Sequence, residues 1–159
     1  MRPTVRFLFA KPAHFVALGF GSGLSPKAPG TAGTLAAWLL FPLLASLSGT
    51  EFLVFVLSGF VLGVITADRT GRALGVSDHG SIVWDEMLPF WVVLYFTPDT
   101  LAWQTAAFVA FRFFDIVKPQ PIKWADSKVK GGFGVMLDDV IAAGYTLLVL
   151  ALTARALAL

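Results

Sequence analysis

No cysteine occurs in the 159-residue chain, which excludes a disulfide framework, a thiolate zinc site and a cysteine-nucleophile phosphatase. Charge is scarce too: Asp, Glu, Lys and Arg make up 14%, where a soluble domain has about 25%. That scarcity excludes disorder, a coiled coil and a nucleic-acid-binding module. Strand-like alternation, internal repeats and low-complexity tracts are absent as well, so the pattern is all-α. No secretory leader is expected, because Lys11-Pro12 interrupts the apolar run behind Arg2 and Arg6.

Apolar side chains are abundant. Residues of the set AVILMFWYC form 57% of the chain, and the mean hydropathy is +0.77. The length suits a single domain, residues 1–159. A net charge of +2 says little about partners.

The spacing of charges sets the expected architecture. None lies between Lys27 and Glu51, Glu51 and Asp68, Glu86 and Asp99, Asp99 and Arg112, or Asp139 and Arg155. Most of these intervals fall short of the ~20 helical residues that cross a bilayer core. They pair, however. Helices over about Thr34–Ser48 and Phe52–Ala67 meet at Ser48-Gly49-Thr50-Glu51. Helices over about Ile82–Phe96 and Leu101–Val117 meet at Thr97-Pro98-Asp99-Thr100, and a last helix runs from about Asp139 to Ala158. Pro42 and Pro89 fall inside this pattern, and Pro89 is expected to kink or restart its helix. The expectation is a compact bundle of about five to six helices, membrane-embedded, with short hairpin-paired spans. Two hairpins bring segments 1–33, 68–81 and 118–138 to one face. The hairpin turns carry Glu51 and Asp99, while the basic residues except Arg155 gather toward the common face. The positive-inside rule makes that face cytoplasmic.

Three polar segments carry the chemistry. The first, Gly19 to Thr34, holds five glycines and leads into a helix. Gly30 and Thr31 suit an anion cradle at a helix N-terminus, although neither the P-loop nor the Gly-x-Gly-x-x-Gly pattern is present. A flexible connector is the plain alternative. The second segment ends in Asp85-Glu86 between Trp84 and Met87. Two adjacent carboxylates in an apolar helix call for a compensating cation. Oxygen donors favour Mg2+; a salt bridge to Arg69 or Arg72 is the other solution. His79 precedes them and suits either a structural or a proton-transfer role.

The third segment contains Arg112 and Asp115, an i,i+3 pair, then Lys118 and a stretch holding Lys123, Trp124, Lys128 and Lys130. That stretch reads as an interfacial helix or as a solvated basic loop. Gly131-Gly132-Phe133-Gly134 provides mobility or close backbone approach. Asp138 and Asp139 then stand at the mouth of the last helix, where they complement its dipole or form a second acidic pair. Two acidic pairs and Asp115, all near one face, make a candidate carboxylate cage.

These blocks resemble the bacterial phosphatidylglycerophosphatase A family of lipid phosphatases. The resemblance rests on Gly21-Ser22-Gly23-Leu24-Ser25-Pro26 with Pro29-Gly30-Thr31, on Asp78-His79-Gly80-Ser81-Ile82-Val83-Trp84-Asp85-Glu86, on Phe111 to Ile122, and on Gly131 to Asp139. It covers about residues 15–145. It departs from the family's pattern shortly after the Asp-Glu pair, where Pro89 takes the place of a glycine. It implies an Mg2+-dependent hydrolase of the bacterial inner membrane that converts phosphatidylglycerophosphate to phosphatidylglycerol and phosphate. It further implies that Asp85, Glu86, Asp115, Asp138 and Asp139 are metal and catalytic carboxylates, and that Arg112 and Lys118 contact phosphate. The expected partners are the phospholipid substrate and the membrane, with no nucleic acid; the oligomeric state is open. Two other readings predict different behaviour: a small membrane transporter or ion-binding protein with acids spread across membrane depth, and a soluble phosphomonoesterase.

Overall fold

The computed structural model describes residues 2–157. Its elements, all helical among the described residues, are α1 (Val5–Leu8), α2 (Pro12–Ala17), α3 (Pro29–Leu40), α4 (Gly49–Leu74), α5 (Trp84–Tyr95), α6 (Leu101–Val117), α7 (Ile122–Lys128) and α8 (Gly131–Ala156). Two 3-10 turns, Gly19–Leu24 and Phe41–Leu43, complete the set. Five of the α-helices have twelve residues or more, which matches the expected bundle. Of the short extra helices, α1 and α2 precede the polar segments, and α7 lies where the sequence pattern leaves an interfacial helix or a basic loop.

Of the two expected hairpins, α5 and α6 pack on each other as one, whereas α3 and α4 are joined at the expected turn without packing closely together. Ser48 caps α4 by accepting from the Glu51 amide, while the Glu51 carboxylate accepts from the Ser48 amide at 2.8 Å. Thr100 caps α6 in the same way through the Trp103 amide. Proline placement differs in its effect between the hairpins. The helix expected over Thr34–Ser48 stops at Leu40, and Pro42 sits in a 3-10 turn. Pro89 instead lies inside α5, which runs unbroken from Trp84 to Tyr95. The surrounding helices hold α5 in place despite the lost hydrogen bond.

α5 is the core. Met87, Leu88, Phe90, Trp91, Val93 and Leu94 are all buried, so its apolar residues face inward on every side. It packs against α3, α4, α6 and α8. Tryptophan N–H groups peg the helices together: Trp84 Nε1 donates to the Gly59 carbonyl at 3.0 Å, Trp91 Nε1 to the Ala37 carbonyl at 2.7 Å, and Trp38 Nε1 to Gln104 Oε1 at 2.7 Å. Each indole thereby buries its apolar body without stranding its donor.

Among the described residues, α4 and α8 are the two helices long and apolar enough to cross a membrane. At 1.5 Å per residue, 26 residues span about 39 Å. The glycine run opening α8 serves close approach rather than mobility: a Cβ on Gly132 would strike the Val64 carbonyl of α4. α8 therefore starts at Gly131, and Asp138 and Asp139 stand two turns inside it instead of at its mouth. Its expected end at Ala158 lies outside the described residues. Leu53, Val54, Leu57 and Val61 of α4, and Leu148, Val149 and Leu152 of α8, remain exposed. An apolar belt of this extent fits a lipid environment.

Candidate active site

The first turn of α5 points Asp85 and Glu86 toward the polar end of the bundle, and the backbone bond from the Val83 amide to the Ala17 carbonyl (2.9 Å) fixes where that turn begins. α3 brings its N-terminus against Glu86. Gly30 is required there, because any Cβ would collide with the Glu86 carboxylate. One turn later the Thr34 hydroxyl faces both the Gly30 carbonyl (3.0 Å) and Glu86 Oε2 (3.2 Å).

α6 supplies the basic counterpart. Arg112 Nη1 donates to Glu86 Oε2 at 2.5 Å and to the Thr34 hydroxyl at 3.1 Å, and Nη2 pairs with Asp115 Oδ2 at 3.0 Å. One guanidinium thus links α3, α5 and α6. Its Nε is buried without a partner among the described residues, leaving one donor of the fork unused. A cavity of about 560 Å3 opens beside this pair, lined by Gly30, Thr31, His79, Ser81, Glu86 and Arg112, with Arg2 at its edge. Within it the His79 Nδ1 accepts from the Ser81 amide at 3.2 Å.

A second cluster lies on the α8 side. Lys118 caps α6 and reaches Asp138 Oδ2 at 2.6 Å and Asp126 Oδ1 at 2.8 Å. Desolvation acts to lower the Lys118 pKa, but the two carboxylates outweigh it and hold the ammonium above its ordinary value. Asp78, at the rim, is pushed upward by desolvation, with Lys118 opposing and Asp126 and Asp115 adding repulsion.

Asp85 and Asp139 are both buried, and neither is in an ion pair with Lys or Arg among the described residues. Among the described residues, Asp85 accepts from the Glu86 amide alone, at 3.2 Å, and Oδ1 of Asp138 and Oδ1 of Asp139 are buried with no hydrogen-bond partner. Arg112 joins Glu86 to Asp115, and Lys118 joins Asp126 to Asp138.

The structure brings together most of the residues singled out in the sequence. Gly30, Thr31, His79, Glu86 and Arg112 line one pocket, with Asp115 held to it by Arg112. Lys118 does not line that pocket; it is engaged by Asp126 and Asp138. The partner of Glu86 is Arg112 rather than Arg69 or Arg72, and Arg72 pairs with Asp68 at 2.9 Å. Thr34, Asp78 and Asp126 were not anticipated as site residues. The Asp78-His79-Gly80 run held the only signal for Asp78, and nothing local marks Thr34 or Asp126.

The donor chemistry fits a hard divalent cation. All the donors are carboxylate oxygens, two of them buried and unpartnered, and a buried excess of negative charge requires compensation. No group of three His, Asp or Glu side chains is closed into a ligand set among the described residues. Arg112 and Lys118 engage Glu86, Asp115 and Asp138.

Comparison with known proteins gives the family. Residues 15–154 match the family model described as Phosphatidylglycerophosphatase A. A protein of that name from Haemophilus influenzae is 48% identical over 150 residues, covering 92% of this chain and 91% of its own. Another of that name from Escherichia coli is 44% identical over 138 residues, covering 86% of this chain and 80% of its own. No solved structure matches. These bacterial relatives and the two helices of spanning length indicate a membrane-associated protein. Its pocket, its buried carboxylates and its relatives converge: the chain belongs to the phosphatidylglycerophosphatase A family of lipid phosphatases, phosphoric monoester hydrolases.

Proposed function

We propose that this chain hydrolyses the terminal phosphomonoester of phosphatidylglycerophosphate with Mg2+, on the cytoplasmic side of a bacterial inner membrane. The observation that carries the reading is Arg112, which stands between a head-group-sized pocket and a buried set of carboxylates. The acids lie toward one end of the long helices: α8 carries no charge between Asp139 and Arg155. Such placement favours chemistry on a head group over a transport path, which needs polar groups through the membrane's depth.

Asp85 and Asp139, with Glu86, Asp115 and Asp138, would hold the cation. When bound, it supplies positive charge and Lewis acidity at the phosphoryl oxygens. The chain's own groups do the remaining work. Arg112, which lines the pocket, faces the phosphoryl group and stabilises the charge that develops there. Amides at the start of α3, at Gly30 and Thr31, donate to the same anion. A carboxylate of the cluster takes the proton of the attacking water as its oxygen bonds to phosphorus, and the lipid alkoxide leaves and is protonated. Lys118 keeps Asp138 in place from the other side. The acyl chains remain in the bilayer beside α4 and α8.

The test is phosphate release by the purified protein from phosphatidylglycerophosphate and from water-soluble glycerol 3-phosphate, each with Mg2+ and with EDTA. Release from the lipid that depends on Mg2+ is expected. Equal turnover of the soluble ester, or turnover unaffected by EDTA, contradicts the reading.

A further inference from the structure

A second cationic cavity, of about 520 Å3, opens where α2 meets the end of α4, lined by Lys11, Pro12, Ala13, His14, Arg69 and Arg72. It shares no lining residue with the pocket at Glu86 and Arg112. Its walls are fixed. The Thr70 hydroxyl of α4 donates to the Ala13 carbonyl of α2 at 3.4 Å. His14 is buried, its Nδ1 lies 3.0 Å from the Phe7 carbonyl, and its ring stacks on Phe7 at 4.0 Å. Lys11 enters from the start of α2, while Arg69 and Arg72 stand one turn apart near the end of α4.

The charge there is unbalanced. Asp68 pairs with Arg72, but neither Lys11 nor Arg69 has a carboxylate within ion-pair distance among the described residues. The apolar surroundings are equally specific. Val61 and Ile65, eight and four residues before Arg69, lie on the same stripe of α4 and are 58% and 44% exposed. A cationic recess above an exposed apolar stripe, at the end of a spanning helix, matches the layout of a phospholipid: phosphate in the recess, chain along the stripe.

We infer that this recess is a second, non-catalytic site for the phosphate group of an anionic phospholipid. Lys11 and Arg69 supply the charge, and Val61 and Ile65 seat the upper acyl chain. Free phosphate offers the same charge without the chain, so the two sources separate experimentally.

The test uses the full-length protein in detergent, with native mass spectrometry counting bound phosphatidylglycerol and, separately, phosphatidylcholine, and with titration of inorganic phosphate. The probes are applied to the wild type, to Lys11→Gln/Arg69→Gln, and to the charge-preserving Lys11→Arg/Arg69→Lys. Phosphatidylglycerol affinity should fall roughly tenfold or more in the neutral double variant and recover in the charge-preserving one. Phosphatidylcholine retention should not change. Competition by inorganic phosphate, sensitive to the same variants, would also support the site and show that the phosphate group alone suffices. Equal phosphatidylglycerol affinity in all three proteins, with no phosphate competition, would overturn it. Unchanged phosphate release from the lipid substrate in detergent verifies that both variants are folded.

Discussion

Arg112 holds carboxylates from two helices at once, and its side chain is only 13% exposed. Removing it leaves Glu86 and Asp115 buried without their counter-charge and, on the proposed function, takes away the pocket's anion contact. Arg112→Gln should therefore lower kcat by about 10^2–10^3. Arg112→Lys should recover little of it, since a lysine has no planar fork to meet Glu86, Thr34 and Asp115 together. Steady-state phosphate release measures both. The Arg112–Asp115 pair was legible from i,i+3 spacing alone. Its third partner was not, because Glu86 is brought to Arg112 only by the packing of α5 against α6. Lys118 shows the same limit: its pairing with Asp126 and Asp138 is tertiary, and no local spacing signals it.

Among the elements, α8 shows what a glycine run does when another backbone lies against it. Gly132 meets the Val64 carbonyl, an atom that cannot swing away. Gly132→Ala should destabilise the protein by about 1–3 kcal/mol through forced separation of α4 and α8. Gly144 lies on the same helix with open space around its Cβ position. Gly144→Ala should stabilise by about 0.5–1 kcal/mol, from helix propensity alone. Thermal unfolding in detergent would give the opposite signs. The same glycines hid the helix start in the sequence, where three in four residues look like a breaker. Pro89 misleads in the other direction: it signals a kink, yet packing against four helices keeps α5 whole. The hairpin turns were readable because their caps are local, as in the Ser48–Glu51 box.

Across the whole molecule, low charge and exposed apolar helix surfaces place the polar chemistry at one end of a lipid-embedded body. Extraction should require detergent; high salt or carbonate should leave the protein in the membrane pellet. Recovery in the carbonate supernatant would contradict the spanning role of α4 and α8. Hydropathy made this much visible in the sequence. What it concealed is how the acids divide: three are held by Arg112 and Lys118, while Asp85 and Asp139 are left without a basic partner among the described residues. That division is tertiary and has no local pattern. On the proposed function, these are the two residues on which divalent-cation binding would most depend. The decisive measurement is Mn2+ binding, followed by electron paramagnetic resonance, in the detergent-solubilised wild type and in Asp85→Asn and Asp139→Asn. Saturable binding in the wild type that weakens at least tenfold in each variant is predicted; wild-type affinity retained in both would contradict the account.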